Sequence, residues 1–561
     1  MVWKRMLSFA LLAAMLCTGC AKAPAEIEQT PEPTATPVPV MQKDLVVLYT
    51  NDVHCAVDGE ETIGYAGLAT IKREMEAAGN YVLLVDAGDA IQGAPIGTLS
   101  KGEYIVDIMD EVGYDVATPG NHEFDYGMER FFALTERAEF PYVSANFTDL
   151  KTGALALSPY VIREFDGVKI AFVGVSTPRT ITSSTPAYFQ DEDGNFIYGF
   201  CQDESGKKFY DAVQKAVDAA RQEGAFKVIA LSHLGIEAEA SPYTSSELIE
   251  NTTGIDVVLD GHSHSVVYGE RVKNKDGEHV LLSSTGTGLT AVGQLYITKS
   301  GNVSTGLVTE LPEKNAEVTA YIDVIKSRFD SLLNTVVARS DVDLTIVDPM
   351  NPTVRLVRSQ ETNLGDLCAD GYRAISGADI ALVNGGGVRE SIKKGSITYG
   401  NILAVHPFGN YLCVVEATGQ QILDALEIGT KSIPGEYGGF LQVSGLTYEI
   451  HSYLRSSVKM DENNMFVSVD GEYRVKNVMV NGEALELDKV YTVASHNYLI
   501  QNGGDGINVF ANNTLVLDKI MLDNQVLIQY ITENLGGTVG AEYADPYGQG
   551  RITFVTKKPR G

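Results

Sequence analysis

The feature that most restricts how this chain can fold is a repeated one: a short apolar run that stops at a residue able to bind a metal. It occurs five times in the first half of the sequence. Val46-Val47-Leu48-Tyr49-Thr50-Asn51-Asp52-Val53-His54 ends in Asp-x-His, and Leu83-Leu84-Val85-Asp86-Ala87-Gly88-Asp89 ends in Gly-Asp. Val116-Ala117-Thr118-Pro119-Gly120-Asn121-His122-Glu123 ends in Gly-Asn-His-Glu. Val228-Ile229-Ala230-Leu231-Ser232-His233 ends in Ser-His, and Val257-Val258-Leu259-Asp260-Gly261-His262-Ser263-His264 ends in Gly-His-Ser-His. In an α/β sheet the loops at the carboxyl ends of the strands converge, and ligands bind there. Five such loops would bring Asp52, His54, Asp89, Asn121, His233, His262 and His264 to one place. Gly88, Gly120 and Gly261 stand just before three of these residues and are expected to let the backbone turn sharply. One Asp-x-His or Gly-Asp alone is more often a turn or a cap; five in series, each after an apolar strand, is a metal-site pattern. Mixed carboxylate, imidazole and amide donors suit zinc, manganese, iron or cobalt better than calcium or magnesium.

The intervening segments fit an α/β layered domain. Strands are expected at Leu45–Tyr49, Tyr81–Val85, Lys169–Val175, Lys227–Leu231, Ile255–Leu259 and His279–Leu282. Helices are expected at Gly67–Ala78 and Glu103–Val112. The pattern runs over residues 44–312, where Leu311-Pro312 breaks the last strand. Ala316–Val337 reads as one long helix with an apolar end at Leu332, Leu333, Val336 and Val337, a stiff connector within a linker at 313–340. A second α/β domain follows over 341–557, with a helix at Leu364–Ile375, a strand at Asp379–Val383 and Gly-rich turns at Gly385-Gly386-Gly387 and Gly503-Gly504.

The amino terminus is a targeting segment rather than part of the fold. Lys4 and Arg5 precede an apolar run, Met6 to Leu16, that is too short to span a bilayer. Gly19-Cys20 resembles a bacterial lipoprotein cleavage site, with residues 1–19 as signal and Cys20 as the lipidated first residue; an ordinary secretory signal is the alternative. Either places the mature chain outside the cytoplasm, in the first case anchored to a membrane. Residues 20–43 are then a Pro/Thr-rich tether. Cys55, Cys201, Cys368 and Cys413 are widely spaced and form neither a zinc ribbon nor a disulfide framework, leaving a single disulfide open. A net charge of −30 repels polyanions, so DNA and RNA are excluded as bulk partners, and an anionic substrate needs a locally positive site.

The five blocks resemble the calcineurin-like metallophosphoesterase superfamily, and Gly120-Asn121-His122-Glu123-Phe124-Asp125 resembles its 5′-nucleotidase branch. In the second half, Arg358-Ser359-Gln360-Glu361-Thr362-Asn363-Leu364-Gly365, Leu382-Val383-Asn384-Gly385-Gly386-Gly387-Val388-Arg389, His406-Pro407-Phe408-Gly409-Asn410 and Asn502-Gly503-Gly504-Asp505-Gly506 resemble the 5′-nucleotidase C-terminal domain. The resemblance implies a four-layer αββα metallophosphoesterase domain joined by a long helix to an α/β substrate-binding domain. It implies that Asp52, His54, Asp89 and His264 hold one divalent metal, that Asp89 bridges, and that Asn121, His233 and His262 complete a second. Many family members carry Gln at the position of His264. Such paired metals stand about 3.5–4 Å apart and supply a nucleophile from water near neutral pH.

The leaving oxygen needs a partner. His122 follows Asn121 directly and should face the same cavity, and Asp125 could fix its tautomer and raise its basicity; the family resemblance assigns the same dyad. It further implies that Arg358 and Arg389 bind phosphate or nucleoside-side oxygens, and that Asn384 touches the base or its surroundings. Phe408 and Tyr498 would sandwich the base, and Asp505 would accept from the ribose hydroxyls. Tyr498 precedes Asp505 by seven residues, one more than the family pattern, so Leu499 is the competing stacking position. The expected activity is 5′-nucleotidase, with UDP-sugar hydrolysis or 2′,3′-cyclic-nucleotide hydrolysis as close variants. A non-catalytic nucleotide-binding lipoprotein is the alternative of another class, and a thiosulfate-ester hydrolase a weaker one.

Overall fold

The computed structural model describes residues 40–557, except for the side chain of Glu239. The expected signal segment, the lipidation residue Cys20 and the tether as far as residue 39 lie outside the described residues. Among the described residues no helix is long and apolar enough to cross a membrane, and Cys55, Cys201, Cys368 and Cys413 are all free thiols.

The strand Leu45–Thr50 is buried at all six positions, which requires cover on both faces. Its alternate residues divide between two cores. Val46 and Leu48 pack under the helices Gly64–Ala77, Glu103–Val112 and Ala316–Ser327. Leu45, Val47 and Tyr49 pack against Phe172, Ile229, Leu231 and Leu259 of a second sheet. The first sheet has the order Val303–Val308, Val292–Ile297, Leu45–Thr50, Tyr81–Asp86, Val116–Ala117, and its last three strands are parallel. The second has the order Val266–Lys273, His279–Thr285, Val257–Leu259, Ala225–His233, Val168–Ser176, Tyr160–Phe165, with four parallel strands inside two antiparallel edges. Helices Lys207–Gln222 and Ser245–Asn251 cover its outer face through Phe209, Val213, Val217 and Leu248. The result is the expected αββα sandwich. All five ligand-bearing strands point their carboxyl ends to one edge of it.

In the second half, a five-stranded sheet runs Leu441–Ser444, Ile380–Asn384, Val490–His496, Leu412–Thr418, Leu515–Leu517. Helix Asn363–Ser376 covers one face, meeting Ala381 and Val383, and Gly419–Gly429 the other, meeting Ile380 and Leu382.

The expected single helix Ala316–Val337 is not what forms. The helix ends at Ser327, a short turn of helix follows at Asp330–Leu333, and Val336–Ser340 is a strand pairing with Gly395–Thr398 and Thr538–Val539. The break falls where Arg328 donates to the Tyr104 hydroxyl at 3.1 Å and Phe329 sets its ring 5.8 Å from that of Tyr104. Leu332 and Val336 are left exposed, so the apolar stretch never had a helical face to bury. The helix that does form starts at an Asn315 cap and packs Val318, Ile322 and Ile325 onto the first half.

Candidate metal centre and substrate cavity

The seven residues expected to bind metal meet at the edge of the sandwich. Asp52, His54 and His264 form one group and Asp89, His233 and His262 another, each with ligand atoms within 4.8 Å of one another. His54 Nε2 lies 3.0 Å from His264 Nε2 and 4.0 Å from both Asp52 Oδ1 and Asp89 Oδ2. His264 Nε2 is 3.5 Å from Asp52 Oδ1. His233 Nε2 is 3.1 Å from Asp89 Oδ2, and His262 Nδ1 is 2.8 Å from Asn121 Oδ1. Asp89 stands between the groups, reached by His54 from one and His233 from the other.

Two features show how the chain shapes this cage. First, Asp52, His54, Asp89, His262 and His264 all have φ between +48° and +77°. Left-handed backbone at non-glycine residues costs energy and persists where the surroundings over-determine it, typically at functional sites. Second, the imidazoles are buttressed. His54 Nδ1 faces Gln92 O at 3.0 Å and His233 Nδ1 faces Ala87 O at 2.7 Å, so each ring donates its Nδ1–H to a carbonyl and turns Nε2 toward the cage. Asn51 donates to Asp52 Oδ2 at 2.7 Å.

The glycines act differently from expectation. Only Gly88 has positive φ, at +95°. Gly120 and Gly261 are needed for lack of a side chain: a Cβ at Gly120 would sit 2.3 Å from Asp89 Oδ1, and one at Gly261 would sit 2.8 Å from His233 Nδ1. Glu123 was not anticipated as a builder of the site. It is buried, and its carboxylate accepts from the backbone N–H of Asp89, Ala90 and Gly120 at 2.7–2.8 Å, which ties two ligand loops together. Its place inside Gly-Asn-His-Glu was the available signal.

The donor set fits divalent cations. Burial pushes the Asp52 carboxyl up to about 7 and holds His54 down at about 3, while His262 and His264 are held well below the imidazole range by burial. Three neutral imidazoles thus offer lone pairs. Burial opposes charge on His233 too, but Asp89 and Asp52 hold it up at about 10, a proton doing what a cation would do between those carboxylates. His233 Nε2 has no hydrogen-bond partner among the described residues. An orphaned buried nitrogen beside a carboxylate is where a metal ion satisfies both.

Beside the cage, His122 Nδ1 is 2.5 Å from Asp125 Oδ2, and the His122 backbone N–H donates to Asp89 Oδ1 at 2.8 Å. Burial alone would strip the proton from His122, but Asp125 and Asp89 raise its affinity for one above the ordinary value. Ser184 donates to Asp125 Oδ1 at 2.8 Å.

A cavity of about 580 Å³ opens from this dyad and is lined by both halves of the chain. All six residues expected to bind substrate border it: Arg358, Asn384, Arg389, Phe408, Tyr498 and Asp505. Asn384 Nδ2 donates to Asp505 Oδ2 at 2.6 Å, and its Oδ1 meets His496 Nε2 at 2.8 Å. The Phe408 ring lies 5.9 Å from that of His122 at 28° and carries the Arg389 guanidinium 5.7 Å from its centre. Between the two competing positions the geometry separates clearly: Leu499 is wholly buried in the core, whereas Tyr498 faces the cavity. Arg358 and Arg389 make no side-chain hydrogen bond or ion pair among the described residues, unlike Arg355, which pairs with Glu436 at 2.6 Å. Burial together with Arg355 lowers the proton affinity of both. Sequence reasoning missed four further cations on the cavity wall, Arg179, Arg355, Lys431 and Lys519; Lys431 lies 4.3 Å from the Tyr437 ring centre. Arg179 and Lys431 both lie close enough to Asp505 to favour its ionised form, though neither forms an ion pair among the described residues, and neither falls in a recognisable motif.

A double sheet with a carboxylate–imidazole cage at its strand ends is the arrangement of a metal-dependent phosphoester hydrolase, and the comparisons agree. Residues 45–266 match the family Calcineurin-like phosphoesterase, and residues 336–512 match 5'-nucleotidase, C-terminal domain. The chain belongs to the family that joins these two domains, the 5′-nucleotidase-type metallophosphoesterases. It is 30% identical over 91% of its length to the trifunctional nucleotide phosphoesterase protein YfkN of Bacillus subtilis, of which it spans 35%. It is 28% identical over 95% of its length to a 5'-nucleotidase of Vibrio cholerae, of which it spans 96%. Among solved structures, a 5'-nucleotidase precursor from Thermus thermophilus superposes with a TM-score of 0.75 at 28% identity, over 92% of this chain and all of that one.

Proposed function

We propose that the protein is a 5′-nucleotidase acting outside the cytoplasm, converting a nucleoside 5′-monophosphate and water to a nucleoside and phosphate. One observation carries this reading. Unpaired guanidinium groups, an aromatic wall and a ribose-type acceptor share one cavity with the metal cage. Two divalent metals, held by Asp52, His54, Asp89 and His264 and by Asp89, Asn121, His233 and His262, would supply Lewis-acid chemistry and a nucleophile drawn from water.

The chain's own groups do the rest. Arg358 and Arg389 bind the phosphoryl oxygens, for which the planar guanidinium fork is suited. Phe408 and Tyr498 stack on the base. Asp505, oriented by Asn384, accepts from a ribose hydroxyl. As water's oxygen bonds to phosphorus and the bond to O5′ breaks, His122 gives its proton to O5′, and Asp125 stabilises the imidazolium beforehand. Membrane attachment through Cys20 completes the proposal and rests on the Gly19-Cys20 pattern.

A second reading, that UDP-sugars are taken as well, is favoured by Arg179 and Lys431 on the cavity wall, further cations suited to a second phosphoryl group. The test is a screen on chelated protein with manganese, zinc or cobalt added back, using AMP, UDP-glucose and 2′,3′-cyclic AMP, with nucleoside, nucleotide and phosphate products each separated and measured. Fastest release from AMP is expected. Nucleotide binding without turnover under every metal would make the protein a capture lipoprotein instead.

A further inference from the structure

The segment Arg179–Ser184 touches the site at both ends. Its Thr182 carbonyl accepts from the Tyr498 hydroxyl at 2.7 Å, and that hydroxyl in turn accepts from the Asp505 backbone N–H at 3.0 Å. Tyr498 and Asp505 belong to the second half of the chain. Two residues beyond Thr182, the Ser184 hydroxyl donates to Asp125 Oδ1 at 2.8 Å, and Asp125 holds His122 through its other oxygen at 2.5 Å. Ser184 is 1% exposed, so water does not replace it as a donor.

The support beneath the segment is rigid. Thr180–Ser183 is one short turn of helix whose Ile181 is wholly buried in a cluster with Phe124, Phe131, Phe147, Phe189 and Phe200. Phe124 sits in the same turn as His122 and Asp125. A close-packed aromatic cluster transmits displacement rather than absorbing it. The second half also reaches the dyad directly, through Phe408 against the His122 ring.

We propose that Ser184 is a positioning residue for the His122–Asp125 pair, and that the Tyr498–Thr182 hydrogen bond sets it. The group that protonates the leaving oxygen would then be in register only when the base-binding half is docked on the segment Arg179–Ser184. The proposal rests on His122 serving the leaving oxygen, as argued above. Asp125 has one carboxylate oxygen for the imidazole and one for Ser184. Without the hydroxyl, the second oxygen is buried with an unmet lone pair and the carboxylate is free to rotate away from Nδ1.

A proton donor matters for an alkoxide leaving group and hardly at all for a stabilised phenolate. Ser184→Ala is therefore assayed on AMP and on p-nitrophenyl phosphate, with metal content measured on the same samples. The expected result is a fall in kcat on AMP of about tenfold or more, with KM within about twofold, p-nitrophenyl phosphate turnover nearly unchanged and metal retained. Tyr498→Phe, which keeps the ring, is expected to lower kcat on AMP, and the double variant to be no worse than about twofold below the weaker single one, as for residues acting through one path. Equal losses on both substrates, loss of metal, or independent effects of the two changes would overturn the relay. Should the wild type leave AMP untouched, the nucleotide reading falls while the same pair of measurements with β-glycerol phosphate still tests the relay.

Discussion

The two walls of the cavity are built on opposite plans. On the metal wall every ligand loop leaves a strand of one close-packed sandwich, five ligands sit in left-handed backbone, and imidazoles are clamped by carbonyls. On the substrate wall Arg358 and Arg389 are half-buried and form no ion pair among the described residues. The difference follows from what each wall receives. A cage for a small cation must be rigid, since ligand geometry sets affinity, and its strain is offset by the sandwich core and by the ion itself. A wall for a nucleotide can keep its charges unpaired, because the ligand brings the counter-ion. A resident ion would therefore stabilise the metal wall, whereas the substrate wall would carry a cost that only substrate relieves.

The largest effect should come from the residue both metals would share. Asp89→Ala is expected to leave no metal by elemental analysis and no turnover above background; full activity would break the division, since the cage would then not depend on its bridge. Next comes His122→Ala, which should lower kcat about 10²–10⁴-fold with metal content unchanged. Metal loss would put His122 in the cage rather than beside it.

Arg358→Ala should raise KM roughly 10–100-fold, the worth of charge-assisted hydrogen bonds at about 1.5–3 kcal/mol. Its Tm should rise slightly in the absence of substrate, because a half-buried cation without an ion pair, crowded by Arg355 and Arg389, has been removed. A lower Tm would mean that the arginine is paired in the free protein. The smallest effect concerns pH. Burial, with the help of Arg179, brings the Lys431 ammonium down to about 7. A lysine so depressed loses its charge as pH rises through that value, so substrate binding should weaken on going from mildly acid to mildly alkaline solution. In Lys431→Met that part of the KM profile should be flat, as measured by initial rates across the range.

Much of the metal wall was legible in the sequence because its rule is local. A strand declares itself by apolar alternation, and a ligand at its carboxyl end is one or two residues away. The helix Glu103–Val112 and the strand Tyr81–Asp86 follow the same local logic. What could not be read depends on partners far along the chain. Where the helix ends at Ser327, Arg328 and Phe329 meet Tyr104, more than two hundred residues earlier in the sequence. Ser184 carries no motif, and its importance appears only once Asp125 is beside it. Choosing between Tyr498 and Leu499 needed the core that takes up Leu499.

By itself the sequence determined which metal-ligand residue types stand at strand ends, because periodicity and short-range order are properties of neighbouring residues. Only the tertiary structure decided how the glycines serve the cage and which cations stay unpaired. It also decided that the Ser184 hydroxyl meets Asp125. Those outcomes depend on space and charge contributed by distant segments, and a linear pattern does not encode who will be adjacent to whom.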